Sequence, residues 1–157
     1  MTIRNADQAP AVPFTTIVVA AGAGHRMGGP KALLAVRWGE GAGELPLALA
    51  HAKAHLDGGA ERVVLVTRAE VARTLSRFAQ RGLDIVVSNQ AHALGESGSI
   101  RCALALLELP PEAWVVIAPV DAPPFSISVR RSLLTTAATT PRVAAVRPAA
   151  GARRPQT

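Results

Sequence analysis

Short apolar runs rich in β-branched residues alternate along this chain with segments of helical periodicity, and that alternation restricts the fold more than any other feature. The runs are TTIVVA (15–20), RVVLVT (62–67), LDIVVS (83–88), AWVVIAPV (113–120) and RVAAVR (142–147). A run without polar alternation reads as a strand covered on both faces, the condition of a parallel sheet sandwiched between helices. Between the runs lie LPLALAHAKAHLD (45–57), AEVARTLSRFAQRG (69–82) with Gly82 as its stop, SGSIRCALALLEL (97–109) closed by Pro110, and SISVRRSLLTTA (126–137). Strand and helix in strict alternation predict an α/β fold of the three-layer α/β/α, Rossmann-like kind, with a mostly parallel sheet and its ligand at the carboxyl ends of the strands. The polar, Pro-rich residues 1–13 read as a flexible leader and residues 14–157 as one domain without internal repeats.

A chain of 157 residues that is 49% hydrophobic can bury one substantial core, and with only 3% aromatics that core must be aliphatic. The net charge of +6 comes from scattered arginines and two lysines, with no basic run and no interleaved aromatics. This argues against a nucleic-acid surface and fits a small anionic ligand. Cys102 is the only cysteine, which excludes an internal disulfide and a cysteine-based metal site and fits a reducing, cytoplasmic setting. The N-terminus has no apolar signal-peptide core, and the longest apolar stretches are far short of a membrane span.

The first apolar run leads into VVAAGAGHRMGGPK (18–31), where glycines cluster beside Arg26 and Lys31. Glycine in such density indicates a backbone that turns tightly or lies close to a ligand. The spacing fits neither familiar phosphate loop. Gly22, Gly24 and Gly28 are one residue too long for the dinucleotide pattern, and Pro30 stands where a P-loop needs its lysine. What remains is A-A-G-x-G-x-R-M-G-x-P-K after a buried strand, in which backbone N–H groups wrap phosphates while Arg26 and Lys31 neutralise their charge. Lys31 is one of only two lysines in a chain that otherwise uses arginine, which favours a specific role over an incidental surface turn.

The segment AAGAGHRMGGPKALL (20–34) resembles the signature of the MobA-like NTP transferases, in particular the molybdenum cofactor cytidylyltransferase branch, with a glycosyltransferase-A-type nucleotidyltransferase fold. SNQAHALGESGSIRCAL (88–104) is similar to the family's Asn, Gly and Ser segment, and IAPVDAPPF (117–125) to its metal-binding strand end. The three motifs occur in the family's order and spacing, and the resemblance extends over about residues 15–155.

Asp121 ends an apolar run, where a carboxylate reaches the ligand crevice. Mg²⁺ takes one or two carboxylates and completes its shell with phosphate oxygens and water, so Asp121 is the expected metal ligand, as the resemblance also implies. Asn89 closes the run LDIVVS while Gly95, Ser97 and Ser99 open the next helix, where polar atoms can bind a base and ribose or simply cap the helix. The resemblance implies nucleotide binding by Asn89 and Ser99 and by the loop residues Ala20, Ala21, Gly22, Gly24, Arg26 and Lys31. His51 and His55 have the i, i+4 spacing of metal ligands, but no third ligand is indicated and a solvated helix face is expected. His25 occupies a variable position of the motif, and Cys102, among Ile100, Ala103, Leu104 and Leu106, reads as a small core residue.

The activity implied by the resemblance is nucleotidyl transfer, in which an acceptor oxygen attacks the α-phosphate of an NTP and pyrophosphate leaves. Catalysis of this kind rests on positioning and charge stabilisation, supplied by Mg²⁺, Arg26, Lys31, Asp121 and loop amides. Guanylyl-transferring relatives have a Gly-Gly pair where this chain reads Ala20-Ala21-Gly22, and an added methyl near the base favours a pyrimidine. CTP is therefore the expected donor over GTP, and molybdopterin the acceptor that the resemblance implies. Transfer to a sugar phosphate or alcohol phosphate is the enzymatic alternative. In the family a Gly-His-Pro segment, a further strand, a second carboxylate and a closing helix follow the region RVAAVRPAAGARR, whereas this chain ends at Thr157, so an inactive nucleotide-binding protein is the alternative of another class.

Overall fold

The computed structural model describes residues 12–24, 28–37, 43–78, 80–88, 91–140 and 145. The leader expected over residues 1–13 lies outside the described residues apart from Val12 and Pro13, and the run 142–147 apart from Ala145. Two compact units divide the chain, one formed by Pro13–Pro124 and the other by Met1–Val12 with Phe125–Thr157.

The Pro13–Pro124 unit is built on four parallel strands. These are β1 (Phe14–Val19), β4 (Arg62–Thr67), β5 (Leu83–Val87) and β6 (Trp114–Pro119), in the spatial order β5-β4-β1-β6. Register is set through β1, where Ile17 faces Val64 on one side and Ile117 on the other. The inner strands β1 and β4 are buried almost throughout, as their unbroken apolar runs require. Strand β6 departs from the expectation drawn from its sequence. It is only half-buried, with Ile117 44% exposed, because among the described residues it has one neighbouring strand.

The connecting helices are α1 (Leu47–Asp57), α2 (Ala69–Leu75) and α3 (Ala91–Leu106). From β1 through α1 to β4 and through α2 to β5 the chain steps in one direction, and α3 then carries it back across the sheet to β6. Right-handed crossovers therefore place α1 and α2 on one face and α3 on the other. Side-chain parity agrees. Ile17, Val64 and Val66 pack with Ala103 of α3 and with Leu107 just past its end, whereas Thr16, one position away and so on the opposite face, reaches His55 of α1. The result is the expected three-layer α/β/α arrangement.

Local chemistry explains where elements end differently from the sequence pattern. α2 stops at Leu75 and passes into a 3-10 turn, Ser76–Phe78. Here Thr74 Oγ1 and Ser76 Oγ donate to the Glu70 and Arg73 carbonyls, taking acceptors from the helix. The expected helix 45–57 gives up its start to a small antiparallel hairpin, β2 (Ala35–Arg37) with β3 (Glu44–Pro46). α3 starts six residues before the expected position 97 and is broken at Gly95, whose φ of 57° and ψ of −142° fall outside helical values. Among the described residues of the other unit, α4 (Ile127–Thr139) has Ser126 as N-cap, accepting from the Val129 N–H, and the Arg130 guanidinium donates to the Phe125 carbonyl.

Candidate functional site

In the strand order β5-β4-β1-β6 the chain reverses direction between β1 and β6, and in open α/β sheets ligands bind beyond the carboxyl ends of the strands at such a point. Two loops meet there, one after β1 and one after β6.

The β1 loop is anchored at its start. Ala20 N–H donates to the Val66 carbonyl at 2.8 Å, and the buried Thr67 hydroxyl donates to the Ala20 carbonyl at 3.2 Å. Both polar backbone groups of Ala20 are thereby committed to β4, and Ala20 and Ala21 are buried. The loop then emerges at Gly22, which is exposed. Gly24 adopts φ +64°, and a Cβ added there would run into the carbonyl oxygen of Gly29, so the chain doubles back on itself in a way only glycine permits. Pro30, at φ −63°, leads into a 3-10 turn, Lys31–Leu33, closed by Leu33 and Leu34 N–H bonds to the Pro30 and Lys31 carbonyls. Ala32 is buried and fixes the turn, while Lys31 projects outward.

The β6 loop turns at once. Val120 is buried and its N–H donates to the Val19 carbonyl, after which Ala122 N–H donates back to Pro119. Asp121 stands at the apex of this turn. Its Oδ2 lies 3.2 Å from Lys31 Nζ, joining residues 90 positions apart, with side chains 55% and 40% exposed. A wet pair of this kind is weakly held. Each partner is therefore free to exchange the other for a stronger one, the ammonium for a phosphate and the carboxylate for a cation.

The Asp121 carboxylate is a hard oxygen donor on an exposed turn, and among the described residues no group of three or more His, Cys, Asp or Glu side chains is placed to hold a metal ion. The donor set suits a cation whose shell is completed by substrate oxygens and water, which is how Mg²⁺ binds to nucleotides, and does not suit a caged resident metal.

Of the remaining sequence candidates, Arg26 and Asn89 lie outside the described residues. Ser99 does not cap α3. It is buried, its Oγ has no hydrogen-bond partner, and it lies one turn before Ala103, on the side of α3 that packs on the sheet. Ser88, at the end of β5, is likewise buried with its Oγ lacking a partner. Cys102 is half-buried and its Sγ lies 3.9 Å from the Val87 carbonyl.

The expectation for His51 and His55 is overturned. Both are buried, at 1% and 0% exposure, on the side of α1 that packs against the sheet. Their rings are 6.4 Å apart, and His55 Nδ1 lies 3.4 Å from Thr16 Oγ1 of β1. Burial lowers the pKa of His51, and the charge of Asp121 raises it part of the way back. Neither the Thr67 anchor of the loop nor the burial of His51 was expected from the sequence.

Comparison with known proteins agrees with this architecture. The structure is similar to Rv0371c from Mycobacterium tuberculosis H37Rv, with 27% identity and a TM-score of 0.57 over 80% of this chain and 60% of that one. A complex of Rv0371c with manganese aligns at 23% identity and TM-score 0.57, over the same shares of 80% and 60%. A nucleotidyl transferase from Methanothermobacter thermautotroptrophicus, Mth528, aligns at 24% identity and TM-score 0.57, over 78% of this chain and 57% of that one. The last two likenesses concern the fold alone, and this chain spans about three fifths of the length of these solved structures. No curated protein matches the chain. The family model of the MobA-like NTP transferase domain matches residues 16–156. With a parallel sheet, a glycine loop after its first central strand and a Lys–Asp pair at its switch point, the chain belongs to the MobA-like NTP transferase family.

Proposed function

We propose that the crevice between β1 and β6 binds a nucleoside triphosphate with a divalent cation, and that the protein transfers its nucleotidyl group to a phosphorylated small-molecule acceptor. The observation that carries this reading is the Lys31–Asp121 pair at the switch point, 3.2 Å apart and exchangeable. On this reading the β1 loop wraps the triphosphate with its backbone N–H groups, and Lys31 with Arg26 neutralises phosphate charge. Asp121 supplies the protein's oxygen to the cation. When bound, Mg²⁺ would offset the negative charge of the phosphates and make the α-phosphorus more electrophilic. The acceptor oxygen attacks the α-phosphorus and the bond to the bridging oxygen of pyrophosphate breaks. The chain's own residues contribute position and fixed charge without a covalent intermediate.

Asn89 and Ser99 are assigned to the nucleoside, and the orphaned hydroxyl of Ser99 supports a polar role for that residue. CTP is the donor favoured by Ala21, whose methyl stands where the guanylyl-transferring relatives have glycine. Molybdopterin is the acceptor by resemblance to the cytidylyltransferase branch. The manganese complex of Rv0371c supports the divalent cation, and the setting is taken as cytoplasmic. Among the described residues no helix is long and apolar enough to cross a membrane.

The test is a panel of CTP, GTP, ATP and UTP titrated by calorimetry with and without Mg²⁺, followed by pyrophosphate release in the presence of molybdopterin. Mg²⁺-dependent binding with CTP tightest is expected. Binding of none of the four nucleotides would overturn the reading.

A further inference from the structure

β4 reads RVVLVT (62–67), and threonine fills much the same space as the valines before it, so what sets Thr67 apart is a hydroxyl, fully buried at the strand's end. That hydroxyl donates to the Ala20 carbonyl at 3.2 Å, and the Ala20 N–H donates to the Val66 carbonyl at 2.8 Å. The Thr67 carbonyl in turn accepts from the Ser88 N–H at 2.9 Å, so the residue is tied to the ends of β1 and β5 at once. Both polar groups of Ala20 are thus turned to β4, and what they fix is the peptide that Ala20 shares with Ala21. In a trans peptide the carbonyl and the N–H point in opposite directions. With the Ala20 carbonyl turned to β4, the Ala21 N–H is turned to the β6 side of β1, the side on which the Val19 carbonyl accepts from the Val120 N–H at 3.0 Å. β6 has by then folded into its turn, where the Ala122 N–H donates to the Pro119 carbonyl, and among the described residues the Ala21 N–H has no hydrogen-bond partner. Ala21 is buried, and an enclosed N–H of this kind calls for an acceptor.

We propose that Thr67 is a positioning residue that sets nucleoside recognition: its hydroxyl locks the Ala20–Ala21 peptide so that the Ala21 N–H donates to an uncharged acceptor of the nucleoside, a ring nitrogen or a carbonyl oxygen. This rests on the reading of the β1–β6 crevice as a nucleotide site. The class of acceptor follows from burial. Lys31 and Asp121 stand exposed, where phosphate keeps part of its hydration. A charged oxygen brought to the buried Ala21 amide would give up its water for one neutral donor, whereas an uncharged acceptor gives up far less. Thr67 has no exposed surface and acts through the peptide, not on the ligand. Without the hydroxyl, the buried Ala20 carbonyl loses its donor, and a peptide that rotates to find another carries the Ala21 N–H away from the crevice.

The test uses the full chain with Thr67→Val, which keeps the bulk and removes the donor, and Thr67→Ser, which keeps the donor. CTP and inorganic tripolyphosphate, which carries no nucleoside, are titrated by calorimetry in Mg²⁺, and thermal melting is recorded for each protein. Thr67→Val is expected to bind CTP about ten-fold more weakly and to bind tripolyphosphate as the parent does. Thr67→Ser should recover most of the lost CTP affinity. If Thr67→Val fails to fold, Thr67→Ala is measured in its place. Equal losses for the two ligands, which would make Thr67 a support of the loop as a whole, overturn the proposal. So does an unchanged CTP affinity, or a Thr67→Ser protein as weak as Thr67→Val. A parent that binds neither ligand, or CTP alone, fails the nucleotide reading itself and takes the proposal with it. If the parent binds both ligands and Lys31→Ala weakens both, while Thr67→Val weakens neither, only the role of Thr67 is lost.

Discussion

Replacing Lys31 by Ala weighs the ion pair seen in the structure against the phosphate contact proposed for the same ammonium. Within the protein the ammonium is paired with Asp121 at 3.2 Å, and the two side chains are 40% and 55% exposed. So wet a pair contributes at most about 1 kcal/mol to folding, which for a chain of this length is about 2–4 °C in Tm. On the proposed reading, the same ammonium would make a charge-assisted hydrogen bond of about 1.5–3 kcal/mol to a triphosphate. That energy corresponds to roughly ten- to hundred-fold in Kd. Lys31→Ala is therefore expected to melt within a few degrees of the parent and to bind CTP at least about ten-fold more weakly. Asp121→Asn supplies a crossed control. Without a metal the carboxylate repels the triphosphate and occupies Lys31, so its removal should tighten CTP binding. With Mg²⁺ the cation loses its protein oxygen, and the same change should weaken binding. Calorimetric titrations in both conditions, with melting curves for each protein, measure all of these quantities. A Lys31→Ala protein that binds CTP like the parent, or an Asp121→Asn effect of the same sign with and without Mg²⁺, would refute the assignment.

Gly24→Ala forces an L-residue to φ +64° and a methyl against the Gly29 carbonyl. The conformation alone costs about 1–2 kcal/mol, and the displaced loop should lower CTP affinity as well as Tm; unchanged affinity would place the nucleotide elsewhere. Ala21→Gly should move the ratio of CTP to GTP affinity toward GTP, and a constant ratio in competition titrations would remove Ala21 from the base choice. Stability should also depend on pH through His51. Its folded pKa is below the ordinary histidine value of 6.5, chiefly through burial, so the unfolded chain binds the proton more readily. The stabilisation is then complete above about pH 6.5 and is lost as the pH falls from there toward the lowered folded value. Urea melts across that window should show a slope that is reduced in His51→Gln, and an identical slope in that variant would assign the effect to other groups.

The layers were legible because uninterrupted β-branched runs encode two-sided burial, and the ligand-bearing end of the sheet because the glycine loop and Asp121 each follow such a run. That the Lys31 and Asp121 side chains touch was not legible, since it depends on β6 pairing with β1 rather than with its sequence neighbour β5. The half-exposed β6 was missed for a related reason: apolarity tells how a strand is composed and not how many neighbours it has. The hairpin strands β2 and β3, three residues each, are too short to show a period. The histidines of α1 are the instructive failure. Their i, i+4 spacing places both on one side of a helix but does not say which side, and alanines on both sides weaken the amphipathic contrast. A signal was nevertheless available. Lys53 and Asp57 form an i, i+4 ion pair at 3.0 Å on the exposed side. At 3.6 residues per turn, His51 and His55 each lie about 200° around the helix from Lys53 and Asp57 respectively. Taking the charged pair as the solvent face turns both imidazoles toward the sheet.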